Sequence, residues 1–142
     1  MASFIYNSCI EDLAKGAIDF DTDTFYVMMT TSDYSPSQAH AKRSDITNEV
    51  SGTGYTSGGQ EIAVTVSRST GVTSLTFGTV TFSAPVSGFT PVRGIVYKRR
   101  AGAASADELV ACLHDASSTA AGGGDYVLTP TSALTITVPQ GV

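Results

Sequence analysis

Three features of the sequence predict an all-β chain, an antiparallel β-sandwich of jelly-roll type with one short N-terminal helix. Short runs alternate aliphatic with hydroxyl residues, the Thr and Val in them suit a pleated half-buried surface, and glycine-rich stretches separate the runs at fairly regular spacing. At 142 residues the chain is about one domain, 1–142, long enough to bury roughly 68% of its extended surface without staples. A parallel α/β sheet would require more helical segments than the sequence offers.

Residues 1–20 read as an arm followed by a helix. Ser8 is placed to cap that helix with Glu11 three residues on, Glu11 and Asp12 sit in its first turn, and Lys15 followed by Gly16 ends it. Ile10, Leu13, Ala14 and Ala17 share one side, so the helix is expected to lie against a sheet, with Phe4 to Tyr6 extended ahead of it. Thr24 to Thr31 is a strand with apolar residues of both parities, hence buried on both faces. Residues 32–60 form a long surface excursion, in which Ser35 before Pro36 can start a helical turn that the glycine-rich end cannot continue.

The remaining part, 61–142, is strand-rich. Ile62, Val64 and Val66 alternate with Ala63, Thr65 and Ser67, which predicts one dry and one wet face. In "VTSLTFGTVTFSA" the apolar parity changes across Gly78, as in one bent strand or two short ones. Further strands are expected at Val92 to Lys98, Glu108 to His114, Tyr126 to Thr129 and Ala133 to Val138, the last with Leu134, Ile136 and Val138 inward. The segments "RRAGAASADE" and "ASSTAAGGGD" read as flexible surface loops.

Thirteen acidic against eight basic side chains give a net charge of −5, which disfavours binding to a phosphate backbone. Only Cys9 and Cys112 are present, so a disulfide framework is not expected and a reducing compartment fits better. The first residues lack a basic segment followed by an apolar one, and no stretch approaches the roughly 20 apolar residues of a membrane span, so a soluble, non-secreted product is expected.

The densest acidic stretch is "DFDTDTFYVMMTTS", residues 19 to 32. A calcium loop starting at Asp19 would place Gly sixth and Glu twelfth, yet Thr24 and Thr30 stand there, so Asp19, Asp21 and Asp23 are read as solvated turn residues. "SGTGYTSGG" lacks the third glycine of a phosphate loop, where Ser57 stands, and is read as a turn. His40, His114, Cys9 and Cys112 lack the close spacing of structural zinc ligands, and no nucleophile elbow is present. No catalytic residue, cofactor or metal is predicted. The basic cluster "YKRR" is either solvated charge at a sheet edge, or a partner contact in which Lys98, Arg99 and Arg100 join Lys42 and Arg43.

In order along the chain, "DFDTDTFYVMMTTSDYSP", "AHAKRSDITNEVSGTGYTSGG" and "RGIVYKRR" resemble small structural proteins encoded beside the major capsid protein of tailed bacteriophages, in particular the capsid cement, or decoration, proteins. The likeness runs from the first helix through the strand at Val92 and fades after Arg100. It implies a jelly-roll subunit, paired as a homodimer and clamped to the outside of an HK97-type shell across junctions between major capsid subunits. It implies no enzyme, no direct nucleic-acid contact and no membrane, in a virion assembled in the bacterial cytoplasm. The contact elements expected on that reading are Phe4, Ile5 and Tyr6, or the loop from Tyr34 to Tyr55. The basic pair of "YKRR" is not part of the family pattern. Rival readings are a head-to-tail joining or tail protein, a carbohydrate-binding sandwich, for which the absence of Trp leaves few platforms, and last a small hydrolase.

Calorimetric titration with calcium is expected to give no binding heat. A saturable heat abolished by Asp21→Ala would contradict the reading of the three aspartates.

Overall fold

The computed structural model describes residues 3–83, 85–114 and 122–137. Strands β1 (Phe4–Ile5), β2 (Phe25–Thr30), β3 (Gln60–Glu61), β7 (Arg93–Lys98) and β8 (Leu109–His114) form a five-stranded sheet in the order β1-β8-β7-β2-β3. Strands β4 (Val64–Ser69), β5 (Val72–Phe77) and β10 (Leu134–Thr137) form a second sheet in the order β10-β5-β4, and β6 (Val80–Phe82) pairs with β9 (Tyr126–Leu128). Every strand pairing is antiparallel, and α1 (Asn7–Ala14) is the one α-helix among the described residues. The molecule is an all-β sandwich.

Strands β2, β7 and β8 are apolar at both parities because both faces of their sheet are covered. On one face Val27, Met29, Val96, Ala111 and Leu113 pack against Leu75, Phe77, Phe82 and Leu128 of the smaller sheets. On the other, Met28, Ile95, Tyr97 and Cys112 pack against Tyr6 and Tyr34. The register slips between Val96 and Tyr97, so Val96 stands opposite Ala111 while Tyr97 stands opposite Leu109, a bulge that puts both Val110 and Ala111 into the larger core. Gly94 lets β9 approach: a Cβ there would lie 3.0 Å from both Leu128 and Val27.

Several expectations are corrected. Phe4–Ile5 is no free arm but an edge strand hydrogen-bonded to β8, and the Tyr6 amide donates to Val110 O at 3.0 Å. Tyr6, not Ser8, caps α1, without a side-chain cap bond, while Ser8 Oγ donates to His40 O at 3.5 Å. The buried stripe is Tyr6, Cys9 and, in part, Leu13, one position off the expected one, and Ile10 is 43% exposed. The helix does end at Lys15, whose amide bonds Glu11 O, and at Gly16 with φ +73°.

The alternation of Ile62 with Val66 is not one strand: β3 ends at Glu61 in the large sheet, Ile62 is buried, and β4 starts at Val64 in the second sheet. Val66 is 41% exposed although Leu75, opposite it on β5, is fully buried, because β4 is the edge strand of its sheet. Across Gly78 two short strands form as expected, with Leu75, Phe77, Val80 and Phe82 all buried. Leu134 and Ile136 are half-buried, and Val138 and residues 116–121 of the "ASSTAAGGGD" segment lie outside the described residues.

The long excursion contains no helix at Pro36; a single 3-10 turn forms at Arg43–Asp45, where Asp45 Oδ2 accepts the amides of Ala41 and Lys42 at 2.9 and 3.0 Å. It lies flat on the sandwich, with Tyr34 and Val50 buried and Thr30, Lys42 and Thr53 bridged to Glu49, Glu108 and Ser87. Its end is the tightest point of the fold: Gly59 has φ +78°, and a Cβ there would stand 1.8 Å from Val27 O.

Gly59→Ala is therefore expected to cost about 3 kcal/mol in denaturant unfolding, near the top of the common range. Gly16→Ala, at φ +73° with open space around it, is expected to cost about 1 kcal/mol from backbone strain alone. Equal losses at the two positions would contradict the close approach.

Candidate partner interface

The ten residues singled out from the sequence divide by burial. Tyr6 and Tyr34 are buried and hydrogen-bonded to each other at 3.1 Å, and Tyr34 OH meets His40 Nδ1 at 2.9 Å, so neither ring presents a surface to a partner. Burial, first of all, pushes both phenols up. Tyr55 is half-buried against Phe82 and Phe89; its hydroxyl accepts the Met29 amide at 3.0 Å and donates to Glu49 at 2.8 Å. Phe4 and Ile5 are half-buried and line a groove of about 420 Å³ opposite Leu134 and Ile136.

The basic cluster does not sit on a sheet edge. β7 lies between β8 and β2, and the cations that follow it turn inward to carboxylates. Asp107 and Glu108 are 1% and 5% exposed, although the sequence reading placed them in a flexible loop. Arg43 Nε donates to Asp107 Oδ2 at 2.7 Å, and the Arg100 amide donates to Asp107 Oδ1 at 2.9 Å. Glu108 accepts Arg100 in a fork, Nε to Oε2 at 2.9 Å and Nη2 to Oε1 at 2.8 Å, with Lys42 Nζ 3.5 Å away. Lys98 Nζ meets Asp23 Oδ2 at 2.7 Å and Ala17 O at 2.6 Å. Burial alone would raise the Glu108 carboxyl, but Arg100 and Lys42 outweigh it and hold it below its ordinary value.

Arg99 is the exception. It is exposed, with its guanidinium carbon 4.3 Å from the centroid of the Tyr26 ring, and among the described residues no carboxylate pairs with it. Beside it a pocket of about 130 Å³ is bounded by Arg43, Tyr97, Gly58, Ala101 and Asp107. Of the five basic residues proposed to meet a partner, four are paired within the subunit and one is open.

The acidic stretch closes a turn. Asp19 Oδ1 accepts the Asp21 amide at 2.9 Å, a bond that, with one from Thr22, holds the Asp19 carboxyl below its ordinary value, and Asp23 Oδ2 accepts the Asp19 amide at 2.8 Å. The glycine-rich loop is a turn, as Gly54, Gly58 and Gly59 at positive φ require, and it does hold an anion: Glu49 accepts the Gly58 amide at 2.6 Å, Tyr55 OH at 2.8 Å and Ser57 Oγ at 3.1 Å. The two cysteines fall in different cores, and burial pushes the Cys9 and Cys112 thiols up to about 12 and about 11. Among the described residues no three of His, Cys, Asp and Glu gather as a metal site.

Asp107 and Glu108 were missed because nothing local marks an acidic residue as buried, and Arg43 and Lys42, which meet them, lie far back in the chain; Glu49 is half-buried and was missed although its partners Tyr55, Ser57 and Gly58 are close in sequence. No family model matches the chain, and no curated protein or solved structure matches it.

Because the folded Glu108 carboxyl titrates below its ordinary value of 4.5, its stabilisation is present above that value and is lost as pH falls through the depressed one. Glu108→Gln is expected to lower stability by about 2 kcal/mol at pH 7. The gap to the unmodified protein should narrow between pH 5 and pH 3, roughly the carboxylate range. A gap independent of pH in urea unfolding would contradict the assignment.

Proposed function

We propose that this chain is a structural virion protein, a capsid cement or decoration protein that binds the outer surface of an HK97-type phage shell and stabilises contacts between major capsid subunits. The observation that carries the reading is the division of labour between the sheets. The five-stranded sheet is covered on both faces, whereas the sheet of β10, β5 and β4 turns hydroxyls to solvent. On that outer face Thr65 stands opposite Thr76, Ser67 opposite Ser74 and Ser74 opposite Thr135. A rigid body with a hydroxyl-rich, nearly uncharged face suits adhesion to a repeating protein lattice better than chemistry on a small molecule. The sequence resemblance supports the same reading from a separate direction.

The jelly-roll form of the sandwich, action by adhesion without catalysis, and pairing into a homodimer belong to this proposal. The β4 edge suits the pairing: it is six residues long, it carries Arg68 as its one charge, and among the described residues only β5 pairs with it. In a two-fold antiparallel pairing centred on Val66, Arg68 faces Val64 of the second copy rather than another Arg68. Each contact with a capsid chain would bury about 800 Å² per partner, and two linked contacts gain from high effective concentration. Parting two capsid subunits then also requires breaking their contacts with the cement.

Imaging of particles carrying this protein is expected to show its density repeated over the shell, and removal of the protein is expected to lower the temperature at which the DNA is released. Density confined to the neck or tail, as a ring, would contradict the proposal and favour a joining or tail protein.

A further inference from the structure

We infer that the pocket between Arg43 and Arg99 is a socket for a single carboxylate side chain of the partner protein. The argument starts from the pairing of charge. Lys42, Arg43, Lys98 and Arg100 each have a carboxylate of this chain within ion-pair reach, and Arg99 has none among the described residues. Arg99 is nevertheless held in place: its amide donates to Thr24 O at 2.9 Å, and its guanidinium is stacked on Tyr26. A cation–π contact consumes none of the guanidinium's N–H groups, and a guanidinium fork takes a carboxylate bidentately.

Arg43 enters the pocket from the other side. Its Nε is committed to Asp107, and its carbon lies 5.1 Å from the centroid of the Tyr97 ring; its two terminal nitrogens meet no acceptor among the described residues. Both oxygens of Asp107 are taken, one by Arg43 Nε and one by the Arg100 amide, and Glu49 is held by Tyr55, Ser57 and the Gly58 amide.

Two guanidiniums and one carboxylate line the pocket, so it carries one net positive charge. That matches the single negative charge of Asp or Glu and is a poorer match for a phosphate dianion. The lining also holds a strained backbone position. Ala101 lies at φ 57°, a left-handed conformation that costs a non-glycine residue free energy, and such strain gathers at binding sites. Within the proposed function, Arg99 thus becomes the anchor that faces an acidic residue of the capsid, and its four basic neighbours become its scaffold.

The test uses the whole protein, isotopically labelled, titrated with N-acetyl-glutamate amide, with N-acetyl-glutamine amide and inorganic phosphate as separate arms. The glutamate probe is expected to shift the amides of Gly58, Ala101 and Gly102 saturably, the glutamine probe is expected to leave them in place, and phosphate is expected to bind no more tightly than glutamate. Arg99→Gln, at an exposed position, is expected to weaken the response about tenfold, the loss of one charge-assisted contact. Equal shifts with glutamine, an undiminished response in Arg99→Gln, or tighter binding of phosphate would each overturn the inference. The inference rests on the partner-binding reading above, yet the two fail separately. Arg99→Glu that binds particles as well as the unmodified protein removes the socket and leaves the cement reading intact. A protein that takes the glutamate probe at Arg99 but ignores particles keeps the socket and removes the capsid.

Discussion

Two adjacent buried carboxylates, Asp107 and Glu108, are the constraint on which the arrangement of this molecule depends. An unpaired charge at 1% or 5% exposure would cost several kcal/mol, so the fold must bring cations to both. It brings them from two places far apart in sequence, Lys42 and Arg43 on the long excursion and Arg100 just beyond β7. The backbone follows the side chains: the Arg43 amide donates to Asp107 O at 3.0 Å, the Leu109 amide to Ala41 O at 3.1 Å, and the Lys98 amide to Glu108 O at 2.8 Å. A segment that would otherwise float over the sheet is fastened to the first residues of β8.

That fastening closes the second face of the central sheet. Tyr34, carried on the same excursion, covers Met28, Ile95 and Cys112 together with Tyr6. Once both faces are dry, β2, β7 and β8 can be apolar at both parities, and the wet surface falls to the β4–β5–β10 sheet with its rows of Thr and Ser. The same pairing sets the charge of the surface. Four of five clustered cations meet a carboxylate within the subunit, which leaves Arg99, over the Tyr26 ring, as the one without a carboxylate among the described residues.

The parts of this that were legible in the sequence are those decided by neighbouring residues. Phe25 to Thr30 shows a doubly buried strand because both parities are apolar, and Gly78 marks a break because the parity changes there. Gly16 ends a helix for a backbone reason that needs no partner. What was not legible depends on contacts between distant segments. Ser8 has the residue type of a cap but finds His40 O instead. Val66 keeps the inward parity yet is exposed on an edge strand, since alternation gives a side and not the strand's place in the sheet. Asp107 and Glu108 sit in a stretch of Ala, Ser and Gly that reads as a solvated loop, and the cations that permit their burial are more than sixty positions away in the case of Arg43. The basic residues were therefore visible as a cluster while their division into four paired and one open was not.

The most direct measurement of this account is native-state amide hydrogen exchange on the unmodified protein and on Asp107→Ala. If the buried carboxylate fastens the excursion and the end of β7 to β8, the amides of Arg43 and Arg100 will lose protection relative to those of β4 and β5. If the amides of Arg43 and Arg100 keep the protection of the unmodified protein, the carboxylate pair is not what holds these segments together.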